Sequence, residues 1–218
     1  MFGSRDGFAY HRTETGSSTQ VYRLQHRNQD RVSYVRIAET GQDAMAPEAA
    51  AHAALREAGV TVPAIVHLEP FDERLRRSVL ITDEILGGPA EGSAASPHTL
   101  AGVYCAAGRD LARAHRCPVW GFGWVRREHG SPGWPIRAEN DTYAQFVRST
   151  DTVAGLAGSG LEPAALNLIE KLLVEMVERG PAGRYGVLAH GDLDPTHIFT
   201  DGSDYTGLID FGEIRGTA

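Results

Sequence analysis

The stretch VLAHGDLDPTHIFTDGSDYTGLIDFG, residues 187–212, decides the fold of this 218-residue chain. Its segments at 197–200 and 205–209 have the composition of short β-strands, and the intervening DGSD is a typical turn sequence. We therefore expect a β-hairpin here. A further apolar segment, residues 187–189, precedes the hairpin and leads directly into the sequence His-Gly-Asp.

Two carboxylates and an imidazole lie at the ends of these predicted strands. Asp192 follows the first apolar segment, His197 begins the hairpin and Asp210 follows its returning strand. The hairpin would bring the three side chains together, where they could orient a hydroxyl and hold a divalent cation, as phosphoryl transfer requires. With His190 they would also suit a metal-dependent hydrolase. We regard that reading as the weaker one, because zinc sites normally concentrate more His and Cys ligands.

Composition bounds the kind of protein. The chain is 42% apolar and 22% charged, which is typical of a globular protein with a sizeable core. Its formal net charge of −7 argues against nonspecific nucleic-acid binding and fits a polycationic small molecule. Cys105 and Cys117 form no CxxC pattern, and neither a signal core nor a membrane-spanning run is present. We therefore expect a cytoplasmic protein.

The first half of the chain has the pattern of a small α+β lobe. Its order is strand, strand, helix, strand, strand, over residues 20–24, 32–37, 47–58, 60–68 and 78–85. Pro47 and Gly59 mark the start and end of the helix. The small-residue loop at Gly16, Ser17 and Ser18 could bring backbone N–H groups close to phosphates, or it could be an ordinary turn.

An ion pair between Arg36 and Glu48 is a second expectation in this half. Arg36 lies on a predicted half-buried strand, where its guanidinium could bind phosphates, and Glu48 lies in the first turn of the helix. The alternatives are a strand arginine that faces water and a glutamate that only interacts with the helix dipole.

The second half is predicted to be mostly helical. Apolar residues recur at helical spacing from Thr99 to Ala114 and from Pro163 to Arg179, and we interpret both stripes as core. A further helix is expected at 140–150. The aromatic and glycine-rich segment 117–125 is interpreted as the exit from the first of these helices.

The stretch at residues 187–212 resembles the motifs of a known family. HGDLDPTH at 190–197, followed by IDFG at 209–212, is similar to the paired catalytic-loop and metal-loop motifs of the aminoglycoside phosphotransferase family, which are small-molecule kinases. The resemblance extends in order over nearly the whole chain. It implies an α+β, bilobal protein-kinase-like fold with a nucleotide-binding N-lobe at 1–88 and a helical C-lobe at 89–218.

The resemblance also implies roles for individual residues. Asp192 would orient or deprotonate the substrate hydroxyl, His190 would brace the loop, and Asp210 would bind Mg²⁺. The nucleotide would be bound by the phosphate loop, by the Arg36–Glu48 pair and by the hinge backbone, with the residues Gly16, Ser17, Ser18, Arg36, Glu48, Asp83, Glu84 and Ile85.

The sequence departs from the family pattern at three places. His197 stands where the family has an asparagine metal ligand, a substitution reminiscent of the branch that phosphorylates the 2″-hydroxyl of aminoglycosides. Arg36 stands where the family has the nucleotide lysine. Because relatives continue through several helices after the residue that matches Asp210, we expect a shortened C-terminus here, with substrate determinants at 124–160 and helical faces that lack partners.

The expected function is transfer of the γ-phosphate of ATP or GTP, with Mg²⁺, to a hydroxyl of a small molecule. An aminoglycoside antibiotic is the favoured acceptor, whereas macrolides, amino alcohols and sugars remain open. A non-catalytic nucleotide-binding relative is the main alternative. We expect no nucleic-acid or membrane partner, and the oligomeric state is not predicted.

Overall fold

The computed structural model describes residues 7–13, 20–27, 31–128, 134–149, 152–156 and 158–218. These residues form an α+β structure with antiparallel sheets, as predicted. The loop that contains Gly16, Ser17 and Ser18 lies outside the described residues. Among the described helices, none is long and apolar enough to cross a membrane.

The first half is an antiparallel sheet with one helix against it. The sheet order is β1-β2-β3-β5-β4. Its strands are β1 (Phe8–Arg12), β2 (Gln20–His26), β3 (Val32–Ile37), β4 (Ile65–Asp72) and β5 (Arg77–Asp83). The predicted strand at 60–68 begins only at Ile65, because the preceding residues pack against the second half instead.

Helix α1 (Ala46–Glu57) begins with a proline in its first turn, as the sequence indicated. Its buried face presents Glu48 and His52 one turn apart, together with Ala51 and Leu55. Glu48 faces Arg36 on β3, whereas the ring of His52 packs against Phe211, and α1 contacts the turn that follows Asp210.

Helix α2 (Pro97–Ala114) is the central helix of the second half. The Ser96 side chain accepts a hydrogen bond from the N–H of Thr99 at 3.1 Å, which caps the helix. Its buried positions are Val103, Ala107, Asp110 and Ala114. The expectation that this helix would lack partners was wrong, because it packs on the hairpin strands.

The predicted hairpin is present. Strand β11 (Ile198–Thr200) pairs with β12 (Tyr205–Leu208), with Ile198 opposite Leu208. The short strand β6 (Gly88–Pro89) joins the other edge of β11, giving the order β12-β11-β6. This junction lies at the predicted lobe boundary at residue 88, and we propose that the boundary is there.

A five-stranded sheet, which the sequence did not predict, lies behind the hairpin; two of its strands fall in the predicted exit segment 117–125 and one covers the apolar segment 187–189. Its order is β7-β10-β13-β8-β9. The strands are β7 (Pro118–Trp120), β8 (Phe122–Val125), β9 (Ala138–Asn140), β10 (Tyr185–Ala189) and β13 (Arg215–Thr217). Strands of three to five residues are too short to show a period of two, so the alternation was not visible.

Helices α3 (Tyr143–Ser149), α4 (Thr152–Leu156) and α5 (Pro163–Arg179) complete the second half. The interpretation of α5 as a core helix was wrong, because none of its residues is buried. Leu168, Leu172 and Met176 are 58%, 50% and 45% exposed. The short helices α3 and α4 contact α5, so the expectation of a face without partners applies within the described residues only to these exposed side chains.

The main core cluster includes residues from both halves. Leu55 and Val62 pack with Val103, Leu188 and Phe211, all of which are buried. Each of these side chains contributes about 1.5–3 kcal/mol relative to an exposed position. This shared core fixes α1 against the loops that follow β10 and β12.

Candidate active site

His190 anchors the loop that follows β10. It is only 3% exposed, and its Nε2 lies 2.8 Å from the carbonyl oxygen of Ile209. Because a carbonyl only accepts, Nε2 carries the hydrogen, and the buried Nδ1 has no partner among the described residues. Burial lowers the pKa of His190, so the ring is neutral near pH 7. The neutral ring ties this loop to the residue before Asp210.

His197 connects the same loop to Asp210. Its Nδ1 lies 2.7 Å from the carbonyl oxygen of Asp192 and therefore donates to it. The other nitrogen, Nε2, is left with a lone pair that lies 3.7 Å from Oδ2 of Asp210. The rings of His190 and His197 are stacked with centroids 5.6 Å apart. The Asp192 side chain is exposed, as an acceptor of a substrate proton must be.

Asp210 adopts a left-handed backbone conformation, with φ of 62° and ψ of 59°. Aspartate tolerates this region better than most residues. Two ligands of one cation at about 2.1 Å can lie up to about 4.2 Å apart. Asp210 and His197 therefore fit a shared Mg²⁺, although oxygen is the preferred donor. Within the described residues, no group of three or more His, Cys, Asp or Glu could hold a metal, so a cation here would need phosphate or water oxygens as well.

Arg36 joins the first half of the chain to Asp210. One nitrogen of its guanidinium forms an ion pair with Glu48. The other lies 3.4 Å from Oδ1 of Asp210. Burial alone would lower the pKa of Arg36, but the two carboxylates outweigh it and raise that pKa, which keeps the guanidinium charged. The predicted ion pair of Arg36 and Glu48 is present.

The predicted hinge lies at the end of β5. The N–H of Asp83 donates to Ala64 at 2.9 Å, and that of Glu84 lies 3.4 Å from the carbonyl oxygen of Val32. The side chain of Glu84 accepts from Arg23 and Tyr34, whereas Asp83 accepts from Arg31.

These contacts engage much of the hinge in the protein itself. The N–H of Ile85, by contrast, has no hydrogen-bond partner among the described residues. This N–H and the carbonyl groups of the hinge are the backbone groups that could form hydrogen bonds with the purine of a nucleotide.

The structure thus divides the predicted site residues into three groups. The first group lies together between the two halves and consists of Asp192, His190, His197, Asp210, Arg36 and Glu48. The second is the hinge at the end of β5, and the third is the loop outside the described residues. Sequence reasoning missed His52 and Glu213. The one available signal was the spacing of four between Glu48 and His52 on a helix.

A cavity of about 500 Å³ lies beside the loop that carries Asp192. Its lining residues are Trp124, Val125, Arg126, Arg127, Glu128, Glu139 and Glu213. Glu213 connects it to the loop, since a Cβ on Gly191 would lie 1.7 Å from the Glu213 carbonyl oxygen. Most of the lining falls in the range 124–160, where the sequence predicted the substrate determinants.

Fold and site together define a class: a bilobal, protein-kinase-like α+β protein with acidic loops between its halves. Residues 10–215 match the APH family, described as the phosphotransferase enzyme family. The match covers most of the chain, and the chain belongs to this family of small-molecule phosphotransferases. A comparison with curated proteins gave no match.

Solved structures show the same fold at low identity. A thermostable mutant of aminoglycoside phosphotransferase APH(4)-Ia, in its apo form, has a TM-score of 0.64 and 14% identity, over 96% of this chain and 69% of that one. Macrolide 2′-phosphotransferase MphH from Brachybacterium faecium has a TM-score of 0.54 and 17% identity, over 98% and 71%. Spectinomycin phosphotransferase APH(9)-Ia has a TM-score of 0.57 and 12% identity, over 95% and 64%.

Proposed function

We propose that this protein transfers the γ-phosphate of ATP or GTP to a hydroxyl of a small molecule, with an aminoglycoside antibiotic as the favoured acceptor. The observation that carries the proposal is the bridge made by Arg36. It joins Glu48 on α1 to Asp210 in the loop of the second half, so that phosphate-binding and cation-binding groups meet at one cleft. Family membership supports the same reaction.

The chain's own residues account for the proton and for the geometry. The carboxylate of Asp192 accepts the proton of the acceptor hydroxyl. At the same time the hydroxyl oxygen bonds to the γ-phosphorus, and the bond from the γ-phosphorus to the bridging oxygen of the nucleotide breaks. His190 and His197 hold the backbone around Asp192 from two sides. Positioning of this kind supplies most of the catalysis in phosphoryl transfer, which needs little covalent help.

The nucleotide is held by charges and by backbone groups. Asp210 and His197 would hold Mg²⁺, which supplies positive charge to the phosphate oxygens when bound. The guanidinium of Arg36 adds a fixed charge to the same region. We assign the purine to the backbone of Asp83, Glu84 and Ile85. The phosphates are assigned to the small-residue loop with Gly16, Ser17 and Ser18.

The cavity beside the catalytic loop is the proposed acceptor site. Its carboxylates from Glu128, Glu139 and Glu213 form no ion pair within 4.0 Å in the described part of the chain, and we assign them to the amino groups of the acceptor, beside the cations of Arg126 and Arg127 in the same lining. Trp124 adds an aromatic face, with Arg215 stacked 3.6 Å above its ring. Two related structures carry nucleotide and antibiotic together: APH(4)-Ia with AMP-PNP and hygromycin B, and APH(9)-Ia with ADP and spectinomycin.

The proposed substrates indicate the cellular compartment in which the protein acts. ATP and GTP are cytoplasmic, and Cys105 and Cys117 are both free thiols, so we expect the protein to act in the cytoplasm with its cysteines reduced. Modification of an antibiotic there would confer resistance.

Release of ADP or GDP with a panel of aminoglycosides tests the proposal. We expect Asp192→Asn to reduce turnover by about 100-fold or more, because general-base catalysis contributes about 10²–10⁴-fold. The matched control is Asp204→Asn, an exposed acid on the turn of the neighbouring hairpin, which should keep full activity. Unchanged turnover in Asp192→Asn would refute the assignment of the base. Magnesium-dependent thermal stabilisation by nucleotide without any turnover would support the non-catalytic alternative instead.

A further inference from the structure

His52 is a buried titratable side chain that the proposed reaction does not use. It lies on α1 one turn after Glu48 and is 2% exposed. Its Nδ1 is 3.0 Å from the carbonyl oxygen of Pro63. Because a carbonyl only accepts, Nδ1 carries the hydrogen, and in the neutral ring Nε2 has only a lone pair.

The lone pair of Nε2 faces a carboxylate. Nε2 lies 3.9 Å from Oε1 of Glu48, which is too long for a hydrogen bond, and it has no partner among the described residues. Two acceptors that face each other do not bond. The neutral ring therefore does not compete for the carboxylate of Glu48, which forms its ion pair with Arg36.

The same ring supports the loop at the other end of this ion-pair chain. It packs edge to face with the ring of Phe211, with centroids 5.6 Å apart and planes at 76°. Phe211 is fully buried and directly follows Asp210. His52 thus touches Glu48 on one side and the neighbour of Asp210 on the other, and Arg36 bridges those two acids.

The anchor of the ring belongs to a segment fixed against the second half of the chain. The N–H of Thr61 donates to Asp110 at 2.8 Å, and its carbonyl accepts from Leu208 at 2.9 Å. Pro63 lies two residues further along. The bond from His52 to Pro63 therefore sets the position of α1 relative to α2 and β12.

We propose that His52 is a positioning residue for the nucleotide: its neutral ring, held by Pro63, supports Phe211 and leaves Glu48 to Arg36. This inference rests on the proposed function, because it concerns the same nucleotide site. His52 acts through Glu48 and Phe211 and does not touch the substrates.

A second proton on the ring would reverse this arrangement. The hydrogen on Nε2 would point at Glu48 and compete with Arg36 for that carboxylate. The charged groups that face the ring are Glu48 and Arg56 on α1 and Arg36 on β3, whereas the turn after Asp210 contributes the apolar ring of Phe211. Burial lowers the pKa of His52, so this change belongs to acidic solution.

The test compares nucleotide affinity between about pH 7.5 and about pH 4.5, a range that extends well below the usual pKa of histidine because burial lowers the pKa of His52. Dissociation constants of Mg–ATP and Mg–GTP are measured by calorimetry for the wild type, His52→Leu and His52→Asn. The asparagine variant keeps a donor for Pro63. The control is Leu55→Ala, a change at another fully buried position of α1. Other titrating groups act equally in all four proteins, so only differences in pH dependence are compared.

We expect the wild type and Leu55→Ala to lose more nucleotide affinity on acidification than the two His52 variants do. The difference is at most about tenfold per pH unit, because that is the limit for binding coupled to one proton. If both His52 variants keep the wild-type pH dependence and change only thermal stability, the ring is structural and the inference is wrong. Failure of the wild type to bind either nucleotide at any pH would instead reject the proposed function.

Discussion

Replacement of Gly191 by alanine tests how rigidly the catalytic loop is held. Gly191 has a φ of +88°, and a Cβ there would lie 1.7 Å from the backbone carbonyl oxygen of Glu213. Real Cβ atoms stay at least 3.0 Å from such atoms, so the two segments must separate by about 1.3 Å. The Glu213 backbone follows closely after Asp210, so the separation moves the proposed base and the proposed metal ligand apart.

Gly202 in the hairpin turn is the matched control. Its φ is +98°, and nothing lies within 4 Å of an added Cβ. Both variants place alanine in a left-handed conformation, which costs about 1–2 kcal/mol. Only Gly191→Ala adds overpacking, which costs about 1–3 kcal/mol more. Since 1 kcal/mol shifts the Tm of a chain of this size by about 2–4 °C, we expect losses of about 2–8 °C for Gly202→Ala and about 4–20 °C for Gly191→Ala.

Thermal unfolding followed by circular dichroism measures the stability difference, and phosphate transfer at a temperature below both transitions measures the catalytic one. A displacement of about 1 Å at a reacting group can reduce turnover by about 100-fold. Gly191→Ala should therefore lose activity that Gly202→Ala retains. Equal Tm values with equal activities would show that the two loops move apart freely, and the argument for a rigid site would fail.

Two further predictions concern buried polar groups. Tyr205→Phe removes the hydroxyl that donates to buried Asp110 at 3.0 Å and should lower the free energy of unfolding by about 1–3 kcal/mol, whereas Tyr185→Phe, at an exposed ring, should change little in the same urea titration. Burial lowers the pKa of both His52 and His190. Just below pH 6.5 the unfolded chain therefore binds more protons at these histidines than the folded chain does. Stability should be complete above about pH 6.5 and fall below it by up to about 1.4 kcal/mol per pH unit for each histidine; urea midpoints that stay constant down to pH 5.5 would contradict this.

Short-range patterns accounted for the elements that hold the acids. The turn at 201–204 defined the hairpin, and the proline at the start of α1 defined that helix. The strand with Arg36 and the first helical turn with Glu48 were predicted in the same way, whereas their pairing was expected from the family resemblance. These features depend on neighbours in the sequence, which is why they could be read from it.

Features that depend on distant parts of the chain were not predictable. The sheet behind the hairpin brings together strands of three to five residues from segments far apart in sequence, and none is long enough to show a period. The apolar stripe of α5 has the pattern of a core helix, but burial depends on a partner, and within the described residues the short helices α3 and α4 leave every residue of α5 at least partly exposed. The position of His52 beside Phe211 likewise joins residues far apart in the chain.

The place of β13 in its sheet has a kinetic consequence. Arg215–Thr217 pairs with β10 on one side and β8 on the other, so it is an inner strand. Strands β7, β8 and β9 precede it by about 75 to 100 residues of sequence. The sheet cannot be completed until this strand has been synthesised. Contacts between residues so far apart in sequence also form slowly. The loop with Asp210, which joins β12 to β13, should therefore become ordered late in folding, and nucleotide added during refolding should bind only after that slow step.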